Sequence, residues 1–201
     1  MIRVVLADDE QLTRDAVAAL LSLEPDLDVV GQAADGVAAL RLVGELSPDI
    51  VVLDVEMPGV PGPDVVERIT GMGVSTRCVI ITRHARPGVL RRSLEVGARG
   101  FLPKDVPVSR LAEAIRRVHS GGRYVDPDMA ADSLAQSACP LTIREREVLA
   151  MVADARSGAD IARSVHLSSG TVRNYLSSAM TKLSARSRAE AARIARDRGW
   201  I

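Results

Sequence analysis

Five side chains of this chain have the types and spacing to handle a phosphoryl group: Asp8, Asp9, Asp54, Thr82 and Lys104. Three carboxylates drawn together raise one another's proton affinity unless a cation sits among them. A hard divalent ion such as Mg²⁺ suits that position, because it accepts carboxylate and phosphate oxygens while keeping several waters. A carboxylate such as Asp54 can then act as nucleophile and become an aspartyl-phosphate. Mg²⁺ and the Lys104 ammonium would neutralise charge on the transferring group, and the Thr82 hydroxyl would bond the new phosphoryl oxygens. Singly, each residue has a plainer reading: "ADDE" caps a helix, Thr82 ends a strand, Lys104 is a solvated lysine. Their shared placement argues otherwise, since all five sit at the carboxyl ends of short apolar runs, where open parallel sheets gather ligands.

Those runs read as strands at Ile2–Ala7, Val29–Ala33, Ile50–Leu53, Cys78–Ile81 and Gly100–Leu102, apolar almost throughout, as strands buried on both faces must be. Helical patterns fill the gaps at Gln11–Leu23, Val37–Leu46, Pro63–Ile69, Val89–Val96 and Ser109–Val118. In the first of these, Leu12, Ala16, Ala19, Leu20 and Leu23 form one apolar stripe, expected to face the sheet. The alternation gives a doubly wound (βα)5 α/β domain over residues 1–119. The stretch 120–138, opening "SGGRYVDPD", breaks it and reads as a linker with one short helix.

Residues 139–201 are helical only, with helices expected at Thr142–Val152, Gly158–Ser164, Ser169–Leu183 and Arg188–Arg198, and a capping box of Thr142 and Glu145 at the first. The middle two meet at a tight turn. Ser168 or Ser169 would cap the second, placing Thr171, Arg173 and Asn174 in its first turns, where a helix entering the DNA major groove N-terminus first reaches bases. Arg173 suits a guanine edge and Asn174 an adenine edge, while Thr171, Lys182 and Arg186 suit phosphates. Val172, Leu176 and Met180 would face inward. A helical packing module with charged surfaces is the alternative.

Formal charge is zero overall, but residues 139–201 carry 11 basic and six acidic side chains against 14 and 17 in residues 1–119, which suits a polyanion partner for the tail. All but two of the 26 basic residues are arginine, so Lys104 and Lys182 mark places that need a compact ammonium. Cys78 and Cys139 lack metal-ligand spacing and read as packing residues. Apolar runs are too short to span a bilayer and the start lacks a signal-peptide layout, so a cytoplasmic location without membrane insertion is expected.

"VVLADDE", "DIVVLDVEMPG", "VIIT" and "GFLPKD" resemble, in order and spacing, the receiver domain of two-component response regulators. That resemblance implies a flavodoxin-like fold, phosphorylation of Asp54 by a histidine kinase, and Mg²⁺ held by Asp8, Asp9, Asp54 and the backbone carbonyl of Glu56. It makes Thr82 and Phe101 switch residues and Lys104 a phosphoryl contact. "LTIREREVL", "DIARSVHLSSGTVRNYL" and "KLSARSRAEAARIA" resemble the LuxR-type helix-turn-helix of NarL/FixJ-type regulators, implying an all-α four-helix DNA-binding domain. Ser177 stands where some members carry a basic base-contacting residue, Asp160 where glutamate is common, and "ADARSGAD" lacks a usual glycine. The resemblance further implies a homodimer on phosphorylation, binding double-stranded promoter DNA, with the last helix pairing across it; Trp200 is equally readable as a core anchor. "ITRHARPGVLRRSLEVGARGFLPKD" with "GTVRNY" and a terminal "RGW" is similar to regulators of fatty-acid desaturation that answer a membrane kinase. Beyond transfer to its own Asp54 no enzymatic activity is expected. A Mg²⁺-dependent phosphatase on the same sheet is the rival, and it would need an acid/base and substrate pocket that the sequence does not offer near Asp54.

Overall fold

The computed structural model describes residues 1–84, 87–135, 139–153 and 157–201. The chain divides into two compact units that, apart from a short stretch ending at Gly88 and grouped with the second, separate between Ser133 and Leu134.

The first unit holds a six-stranded parallel sheet of β1 (Ile2–Ala7), β2 (Leu27–Ala33), β3 (Ile50–Asp54), β4 (Arg77–Thr82), β5 (Gly100–Pro103) and β6 (Tyr124–Val125), in the order β2-β1-β3-β4-β5-β6. Because side chains alternate along a strand, each central strand feeds two cores. Val4, Leu6, Ile50 and Val52 pack with Ala18, Leu21, Leu111 and Ile115 on one face. Val5, Val51 and Leu53 pack with Val43, Val65, Ile69 and Leu90 on the other. Helices α1 (Gln11–Leu21) and α5 (Val108–His119) therefore cover the first face, and α2 (Gly36–Leu46), α3 (Gly62–Gly71) and α4 (Pro87–Glu95) the second. The strand order reverses between β1 and β3, and the crevice at their carboxyl ends is where such sheets bind ligands.

Two features depart from the sequence reading. The stripe expected to bury α1 is its outer face: Leu12, Leu20 and Leu23 are 84%, 46% and 78% exposed, and Ala16 and Ala19 are exposed too. The helix docks instead through Val17, Ala18 and Leu21, and Leu21, fully buried, contributes roughly 2 kcal/mol by that burial. Both faces of α1 are apolar, so periodicity could not choose between them. The stretch 120–138 is not wholly a connector. Tyr124 and Val125 extend the sheet as β6, in register with Gly100 and Phe101, and α6 (Pro127–Ala135) follows, its start capped by Asp126. Residues 136–138 lie outside the described residues.

The second unit consists of α7 (Ile143–Ala153), α8 (Gly158–Ser164), α9 (Ser169–Lys182) and α10 (Arg188–Asp197) around one core of Val148, Leu149, Ile161, Val172, Leu176, Ala191 and Trp200. Trp200 is 6% exposed, a core anchor. Most of "ADARSGAD" is described, but residues 154–156 within it are not.

Candidate functional site

At the carboxyl edge of the sheet, Asp8 follows β1, Asp54 ends β3, Thr82 ends β4 and Lys104 follows β5. Carboxylate oxygens of Asp8, Asp9 and Asp54 all lie within 4.8 Å of one another, with Asp8 and Asp54 buried and Asp9 exposed. Lys104 Nζ donates to Asp54 Oδ2 at 2.8 Å and stands 2.7 Å from Asp8 Oδ2. Asp8 Oδ1 accepts from the Glu10 N–H, whereas the buried Oδ2 has the ammonium's charge but no well-aligned hydrogen-bond donor. One buried, under-bonded carboxylate oxygen beside two further carboxylates forms a hard-oxygen donor set that fits a divalent cation such as Mg²⁺.

Burial pushes the Asp54 carboxyl above its ordinary range, with the Asp8 charge adding to the effect and Lys104 opposing it. Burial pulls Lys104 the other way, but its hydrogen bond to Asp54 and its close contact with the Asp8 carboxylate prevail and its pKa is raised. The ammonium therefore stays charged beside an acid group whose charge is costly. Gly62 makes room for this arrangement: a Cβ there would come within 2.2 Å of the Asp54 carbonyl oxygen, so only glycine lets α3 begin so close behind the strand.

Thr82 is 1% exposed, and its hydroxyl is engaged by the His84 backbone, accepting from the N–H at 3.1 Å and donating to the carbonyl at 3.2 Å. His84 reaches toward the site's rim, where its Nδ1 is 3.8 Å from the exposed Glu56 carboxylate. Phe101 is fully buried in β5, opposite Ile80 of β4.

In the helical unit, Ser168 caps α9 by accepting from the Thr171 N–H. Arg173, Asn174 and Ser177 are exposed along one side of α9, while Val172 and Leu176 are buried and Met180 packs against the same core. The Thr171 hydroxyl bonds Ser168 Oγ at 2.9 Å, and Arg186 is exposed just beyond the helix. Lys182, expected on phosphates, is exposed at the end of α9, and its Nζ donates to both oxygens of Glu145 at 2.9 and 2.7 Å. Glu145 also accepts from Ser178 Oγ and from the Thr142 N–H, closing the expected capping box. Although burial acts to raise it, these donors, Lys182 first, hold the Glu145 carboxyl down at about 2.

Sequence reasoning passed over Gly62, Glu10 and Arg83, and saw Glu145 only as a cap. The glycine pair around "GVPG" was the available signal for the first; the others depend on contacts between distant segments.

A receiver-like sheet edge and a capped helix-turn-helix define the class. Residues 4–116 match the response regulator receiver domain, and residues 139–195 match the bacterial regulatory proteins of the luxR family. The chain belongs to the response regulators with a LuxR-type helix-turn-helix, which are regulators of transcription. It is 40% identical over all of both chains to the uncharacterized transcriptional regulatory protein YvfU of Bacillus subtilis, and 40% identical, again over all of both, to that organism's transcriptional regulatory protein DesR. Among solved structures, the signal receiver domain of the response regulator NarL from Mycobacterium tuberculosis is 38% identical, with a TM-score of 0.59, covering 60% of this chain and 97% of that one. Among the described residues, no helix is long and apolar enough to cross a membrane.

Proposed function

We propose that this cytoplasmic regulator takes a phosphoryl group on Asp54 from a sensor histidine kinase, and that the phosphorylated chain pairs as a homodimer and binds double-stranded promoter DNA. An Asp54 oxygen forms the new bond to phosphorus, the phosphorus–nitrogen bond of the donor imidazole breaks, and the departing nitrogen is protonated from solvent. Asp8, Asp9, Asp54 and the Glu56 carbonyl would hold Mg²⁺, which when bound screens the negative charge of the phosphoryl oxygens. Lys104 stays charged and adjacent throughout. Thr82 then trades its His84 backbone partners for a phosphoryl oxygen, Phe101 repacks, and the α4–α5 face changes. The chain catalyses nothing beyond this transfer to itself.

On DNA, Arg173, Asn174 and Ser177 meet base edges, and Thr171 and Arg186 meet phosphates. Lys182 serves this surface through Glu145, by fixing the end of α9. A dimer matches the half-site logic of helix-turn-helix readers.

The observation that carries the reading is the buried Asp54 with Lys104 at 2.8 Å and two further carboxylates within 4.8 Å. Gel-shift titration of the full chain tests it: a small phosphodonor should tighten binding of the unaltered protein and leave Asp54→Ala unchanged. Equal affinity in every condition would overturn the phosphoryl switch. Binding that keeps its strength and salt dependence in Arg173→Ala would overturn the assignment of α9 as the reader.

A further inference from the structure

Arg83 follows Thr82, and its guanidinium donates to Glu10 Oε1 at 2.7 Å, joining the loop after β4 to the loop after β1 across the mouth of the acidic site. The other Glu10 oxygen accepts from Thr13 Oγ1 and stands 3.8 Å from Lys104 Nζ. Lys104 is thus within reach of three carboxylates, bonded to Asp54, close to Asp8 and one step from Glu10. Around this edge, among the described residues, Asp8, Asp9, Glu10 and Asp54 outnumber the two cations that pair with them, Lys104 and Arg83, while Arg14 is held on the Asp8 backbone carbonyl. Without Arg83 the Glu10 carboxylate loses its ion-pair partner while standing 3.8 Å from Lys104 Nζ.

We propose that Arg83 is a positioning residue for phosphoryl transfer: by pairing Glu10, it prevents that fourth carboxylate from drawing the Lys104 ammonium off Asp54 and from repelling the incoming phosphodonor. The inference rests on Asp54 being the acceptor. Arg83 acts through Glu10, and this separates it from a cation that binds the phosphoryl group directly. In the first case removing Glu10 cures the loss of Arg83; in the second it does not. Both side chains are partly solvated, at 54% and 35% exposure, so neither substitution should lower the melting temperature.

The test follows the rate at which the full-length protein, with Mg²⁺ and phosphoramidate, gains one phosphoryl mass, with Asp54→Asn as control. Arg83→Gln should slow the rate about threefold, the scale of a half-exposed charge pair. Arg83→Lys should stay near the unaltered rate, Glu10→Gln with Arg83→Gln together should return to it, and added salt should narrow the deficit of Arg83→Gln. An Arg83→Gln rate equal to the unaltered one, or a double variant as slow as Arg83→Gln, overturns the proposal while leaving Asp54 phosphorylation standing. Absence of label on the unaltered chain, or label persisting in Asp54→Asn, removes the Asp54 reading and this inference with it.

Discussion

Lys104 and Lys182, the two lysines among 26 basic residues, each donate to a carboxylate whose side chain is only 4% exposed, yet the two pairs end in opposite electrostatic states. Glu145 takes two bonds from Lys182, one from Ser178 and one from the Thr142 backbone, and its carboxyl is held at about 2. Burial, with the Asp8 charge beside it, pushes Asp54 upward, and Asp54 must share Lys104 with Asp8. A carboxylate with its acceptors filled is a structural tie. One left short of positive charge is a place for an ion and a reaction. The same ammonium serves both, and the balance between burial and the donors each carboxyl collects decides the outcome.

The comparison is open to direct attack, most severely at Lys104. Lys104→Ala leaves Asp8 and Asp54 buried side by side without their cation, and should destabilise the first unit by about 3–5 kcal/mol in chelator-treated buffer. Added Mg²⁺ should recover much of that loss, because a ligand that binds only the folded state stabilises it. Lys182→Met strands Glu145 and should cost the second unit about 3 kcal/mol, with no recovery by Mg²⁺. Equal rescue of both variants in denaturant titrations would erase the distinction. Glu145→Gln should cost less, about 1–2 kcal/mol, since Lys182 is one-third exposed and can return its charge to water.

The smallest effect is a pH dependence. Glu145 is depressed from 4.5 to about 2, so its contribution is complete above the unfolded value near 4.5 and drains away as pH falls toward about 2. Acid titration of the second unit's stability should therefore show a slope in that window, and Glu145→Gln should flatten it. A slope that survives the substitution would assign the acid sensitivity to other carboxylates.

Much of this architecture was legible because buried parallel strands must be apolar throughout, which left Ile2–Ala7, Ile50–Leu53 and Cys78–Ile81 conspicuous and put the polar residues that follow them in one place. The helix-turn-helix was legible through its caps: Ser168 and the pair Thr142 and Glu145 act as their spacing indicates. The inward face of α1 was not, since Leu12 and Leu20 on one side and Val17 and Leu21 on the other look equally apolar in sequence. Partners far apart in the chain were also hidden. Glu145 and Lys182 are 37 residues apart and Glu10 and Arg83 are 73 apart, so their meetings depend on how α9 packs on α7 and how β4 lies in the sheet. A two-residue strand such as Tyr124–Val125 is too short for any alternation to register.

That short strand has a consequence for cutting and splicing the chain. The family match ends at residue 116, and α5 ends at His119. Yet the Tyr124 N–H bonds the Arg99 carbonyl and the Asp126 N–H bonds the Phe101 carbonyl. A fragment stopped at His119 would strip those partners from β5 and turn it into an open parallel edge, the kind of surface on which strands of other chains add themselves. As an exchangeable part for chimeric regulators, the receiver therefore runs through Asp126, and a fusion joined any earlier carries a sticky edge along with its switch.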